Sequence, residues 1–121
     1  KQIKENALWI EDGWGICTEI GIQNYVNIDN DGAGGVSLVW NDSRKSTFFD
    51  VYAQWIDQKG QLRWSDKGLA VSTASDTQCY PVITNDGIGR AVISWQDARN
   101  KDNSYWDIYA QKVNEKGSLG Q

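Results

Sequence analysis

The sequence predicts an all-β chain made of two permuted four-stranded repeats of about 55 residues, the blades of a β-propeller. Three observations carry that reading. The chain falls on itself when shifted by 55 positions, each repeat divides into short strand-like runs between Gly, Asn and Asp turns, and no stretch sustains a helical period. The repetition is plainest where "WNDSRKSTFFDVYAQ", starting at Trp40, returns as "WQDARNKDNSYWDIYAQ", starting at Trp95.

Taken along the chain, "GWGICT" at 13–18 is the first strand-like run, and its repeat counterpart is "GLAVST" at 68–73. Both read as a fourth strand. Residues 1–18 therefore supply the fourth strand of a preceding unit, 19–73 form one full blade, and 74–121 hold the first three strands of the next. "NYVNID" and "YPVITN" are the first strands of their units. "NDGAG" and "NDGIG" follow as turns, because Asn, Asp and Gly tolerate positive φ. "GGVSLVW" and "GRAVISW" are second strands, apolar almost throughout, as expected when both faces of a sheet are covered. Polar loops lead to the third strands, "DVYAQWID" and "DIYAQKVN", where an insertion raises the offset to 57. Two blades cannot bury four faces, so the chain needs company: copies of itself, or further blades of a longer chain. A β-trefoil or a two-sheet sandwich is the alternative fold. The chain begins at Lys1 and has no Met, which reads as a processed product, a fragment or an engineered sequence.

Composition excludes several function classes. There is no His, which removes the commonest general base and zinc ligand, and with them any Ser-His-Asp or Cys-His machine. The net charge of −4 opposes a nucleic-acid backbone. No apolar run reaches the roughly 20 residues of a membrane-spanning helix. The two cysteines, Cys17 and Cys79, make no metal or redox motif, and a disulfide between them is left open. "DNDG" at 29–32 has the oxygen-rich look of a calcium loop, but its counterpart "TNDG" lacks the first carboxylate, so a solvated turn is expected. No cofactor and no metal are expected.

The string of "DG-x-G", "W-x-D-x-R", "D-[IV]-YAQ", "KG" and "L-x-W" resembles a repeat of secreted and cell-surface bacterial proteins. The resemblance covers almost the whole chain, apart from the last unit, which stops at "SLGQ" before its Trp. It implies a β-propeller and an extracellular or cell-surface location, and it is tied to no single activity.

Residues that recur in both units are expected to hold the fold. These are Asp42, Arg44 and Asp50, with Asp97, Arg99 and Asp107; each Arg is expected to bind a carboxylate, with Asp50 and Asp107 as candidates. Residues that break the repeat are the candidates for recognition. Of the 14 aromatics, only Trp14 and Trp55 lack an aromatic counterpart, and Trp55 falls on Lys112. Trp55 is therefore expected at a contact surface. Phe48, Tyr105 and Trp106 lie in the two loops that differ in length and polarity, and they complete the candidate ligand-binding set. The expected function is a non-enzymatic structural or adhesion module that contacts protein or glycan. The alternatives are a fragment of a glycosidase-type propeller, or a repeat with no activity of its own.

Overall fold

The structure is a computed structural model and describes residues 9–120. It is all-β, with two antiparallel sheets. The first sheet holds β1 (Gln23–Asn30), β2 (Val36–Asp42), β3 (Asp50–Ile56) and β4 (Leu69–Ser72) in sequential order. The second holds β5 (Gln78–Asn85), β6 (Ala91–Asp97) and β7 (Asp107–Val113), again in order, and among the described residues is extended only by a single bridge between Val113 and Leu119. One helical turn, α1 (Lys101–Ser104), interrupts the loop before β7; a turn this short leaves no amphipathic period in the sequence.

Hairpin registers repeat between the units. Asp42 pairs with Asp50 at one end of β2–β3, and Asp97 with Asp107 at the same point of β6–β7. Both first strands carry a bulge, at Tyr25 and Val26 in β1 and at Tyr80 and Pro81 in β5. The only Pro of the chain thus sits where no ladder N–H is required. Tyr25 and Tyr80 adopt φ of 52° and 54°, the left-handed region that bulky side chains avoid.

The sheets stack face to face. Val39, Val51, Ala53 and Val71 of the first meet Ile83, Ala91, Ile93, Trp95 and Val113 of the second in one core. Polar side chains of the first sheet cap the free edge of β5. Asn41 Oδ1 accepts from Tyr80 N–H (2.9 Å), Asn27 Oδ1 from Ile83 N–H (3.2 Å) and Asp29 Oδ2 from Asn85 N–H (2.8 Å). Unpaired backbone donors are thereby satisfied at the seam.

β2 is covered on both faces, as its composition predicts. β6 is not: Val92 and Gln96 are exposed, because among the described residues the second sheet has a neighbour on one side only. The 13–18 run forms no strand within the chain. Instead, Ile16 and Cys17 lie with Leu38 and Trp40 against the outer face of the first sheet. Cys17 and Cys79 are free thiols.

Candidate functional site

The repeated motif is a clasp. Asp42 is fully buried and accepts from Trp40 Nε1 (2.9 Å), Arg44 N–H (2.9 Å), Arg44 Nε (2.9 Å) and Arg44 Nη2 (2.7 Å). Arg44 lies over the Tyr52 ring at 3.8 Å. Asp97 repeats the set with Trp95 Nε1 (2.8 Å) and Arg99 (2.7–3.0 Å), and Arg99 covers Tyr109 at 3.7 Å. Burial pushes both carboxyls up, but the Arg and Trp hydrogen bonds outweigh it and hold them below the ordinary range. One unit thus explains the W, D, R and Y of the pattern. The Gln follows: Gln54 Oε1 accepts from Trp55 N–H (3.0 Å) and Trp64 N–H (3.1 Å), fixing the next loop.

Each Arg finds the Asp two residues before it rather than Asp50 or Asp107, because the turn after β2 or β6 folds the guanidinium straight back onto that carboxylate. Asp50 is buried opposite Asp42 in the ladder, and burial pushes it above the ordinary range. Asp107 accepts from Ser104 Oγ (2.9 Å) and Asn100 Nδ2 (3.4 Å) and so pins the α1 turn.

The loop ends beside these clasps enclose a cleft of about 400 Å³ between the sheets. Tyr25, Phe48, Phe49, Tyr80 and Trp106 supply its aromatic lining, while Asn41, Asp76, Thr77 and Lys101 supply polar groups. The left-handed bulges bring Tyr25 and Tyr80 together, edge to face, with centroids 4.8 Å apart. A hydrogen bond with Tyr25 pushes the Tyr80 hydroxyl up, so it stays neutral. Lys101 Nζ and Asp76 Oδ1 form an ion pair at 2.9 Å. Cys79 also lines the cleft, but burial, reinforced by Asp97, raises its thiol and keeps it protonated.

The structure therefore joins Phe48 and Trp106, from the two divergent loops, in one site. Tyr105 stands beside them, 79% exposed, outside the lining. Trp55 lies near the other end of β3. Its Nε1 donates to Asp31 (2.9 Å) and Arg63 stacks on it at 4.6 Å, beside a separate polar cleft with Asp57 and Lys59. Sequence reasoning missed Tyr25 and Tyr80, whose convergence depends on the bulges. Their only signal was that two tyrosines matched at the offset without an obvious core role.

The "DNDG" oxygens are spent within the protein. Asp31 Oδ1 accepts from Ala33 and Gly35 N–H (2.7 and 2.8 Å), and Asp29 serves the seam with β5. Among the described residues, no group of three or more His, Cys, Asp or Glu side chains is placed to hold a metal. No helix among them is long and apolar enough to cross a membrane. Compared with known protein families, curated proteins and solved structures, the chain matches none.

Proposed function

We propose that the chain is a non-enzymatic structural or adhesion module, a run of propeller blades whose sheets stack head to tail with further sheets of the same repeat. One observation carries this reading. Equivalent positions are buried where a sheet faces a neighbour and bare where it does not. Ile83 is 7% exposed against the first sheet, whereas its counterpart Ile28, on that sheet's outer face, is 57% exposed. Val51 is 0% exposed, whereas its counterpart Ile108 is 74% exposed. Each outer face is thus the repeat of a face already in use, and covering it removes apolar surface from water.

The 13–18 run supports the manner of joining. Val71 of β4 packs in the core with Ile93 and Trp95, and its counterpart Ile16 lies with Leu38 and Trp40 on the first sheet's outer face. The position of Ile16 supports a fourth strand donated to a preceding sheet. β7 is the edge such a strand would fill. We take the supplier to be a second copy of the chain, joined by a heterologous contact that can close as a ring. The resemblance to secreted and cell-surface repeats supports an extracellular setting.

Ile108→Lys tests the stacking. The position is exposed, so the variant should fold, and sedimentation velocity should give a smaller particle than the parent. An unchanged sedimentation coefficient for an assembled parent would remove the stacking face from the account.

A further inference from the structure

We propose that the aromatic cleft between the sheets binds a neutral saccharide. This deepens the adhesion reading above and rests on it for the premise that the module makes contacts, not for any ring size.

The lining sets the ligand class. Phe48, Trp106, Tyr80 and Tyr25 are 46%, 49%, 49% and 58% exposed, so each keeps ring surface in water at one end of the molecule. Four such rings around a single opening form a shared apolar platform, which soluble proteins seldom leave bare without use. A pyranose ring has an apolar C–H face and a rim of hydroxyls. The face matches the rings, and the rim needs donors and acceptors at the border of the platform. Thr77, Asp76 and Lys101 stand there, offering a hydroxyl, a carboxylate and an ammonium. The cleft volume of about 400 Å³ lies within the range of roughly 300–1,000 Å³ typical of small-ligand sites.

Charge argues for a neutral ligand. Lys101 is already neutralised by Asp76, so an anion would have to break that pair. With Asp76 engaged by Lys101, the pair carries no net charge and leaves no free carboxylate to attract a quaternary ammonium. The placement of the site agrees with recognition. Its frame, the two clasps, is identical in both units, while Phe48 and Trp106 come from loops that differ between them.

The test uses the intact chain with maltotetraose, cellotetraose, mannotetraose and chitotetraose, followed by amide chemical shifts and titration calorimetry. At least one tetrasaccharide should shift the amides of Tyr25, Phe48, Tyr80 and Trp106 together. Trp106→Ala should weaken that binding about tenfold or more while the thermal melt stays put. Lys101→Ala, at an exposed position, is a second variant that should also weaken it. No shift with any of the four sugars, shifts away from the cleft, or binding undiminished in both variants would overturn the site. So would exclusive binding of choline or of a proline-rich peptide. Particle mass measured on the same samples bears on the module reading alone: an assembled chain that binds no sugar overturns the cleft and leaves the stacking intact.

Discussion

At the residue scale, the clasp dominates. Asp42 has no exposure, and the Arg44 side chain is only 12% exposed, so removing the guanidinium strands a buried carboxylate. Arg44→Ala should cost about 3 kcal/mol in urea unfolding. Arg99, 30% exposed, should cost less, about 1–2 kcal/mol. Parental stability in both variants would refute a structural role. The same carboxylates set the acid response. Their folded values are depressed, so the stability they contribute is complete above the ordinary aspartate value of about 3.9 and is lost as pH falls through the lower folded values. Asp50 has the opposite sign, because burial raises its folded value: its ionisation works against the fold as pH rises past 3.9. Asp50→Asn should therefore raise stability at pH 7, while Asp97→Asn lowers it. Denaturant midpoints at pH 3 and pH 7 check both signs. The pairing of these residues with their own repeat unit was legible in the sequence because the positions recur. Which carboxylate each Arg binds was not, since Asp42 and Asp50 recur equally and only the turn geometry separates them.

At the element scale, all seven strands lie where the sequence runs put them. The departures from repetition needed the structure. The Trp55–Lys112 mismatch predicts a contact site, and the structure adds that the turn beside it also differs between the units. Asp31 takes the Trp55 indole N–H, and Gly35 lets β3 approach, whereas in the other unit Asp86 takes Arg90, the counterpart of Gly35. A Cβ at Gly35 would collide with the Asp31 carboxylate and the Ile56 carbonyl. Gly35→Ala should thus destabilise by about 1–3 kcal/mol. Arg90→Ala, which removes only a surface pair, should leave the melting temperature near the parent's. Comparable losses in the two variants would show that the turns are not differently built. The bulges were hidden for a related reason: a Tyr with positive φ has no distinctive composition around it. The aromatic cleft depends on that conformation, so only its Phe48 and Trp106 half was visible beforehand.

At the scale of the whole molecule, two antiparallel sheets of four and three strands share one core, and the proposed assembly would continue that stacking on their outer faces. Their seam depends on Asn27, Asp29 and Asn41, whose counterparts Val82, Thr84 and Gln96 stand exposed on the opposite outer face. The role of these three positions is not legible in the sequence, because edge capping joins residues about 40–56 positions apart. If the proposed blade reading holds, propellers of about 4–8 blades would make two sheets per chain a dimer, trimer or tetramer. Under the proposed joining, deleting residues 1–18 removes the segment that would extend β7 and should cause aggregation or loss of assembly. The most direct measurement is multi-angle light scattering on the intact chain at micromolar concentration. A discrete mass of two to four times 13.6 kDa should be found, whereas a stable folded monomer of 13.6 kDa would contradict assembly from copies.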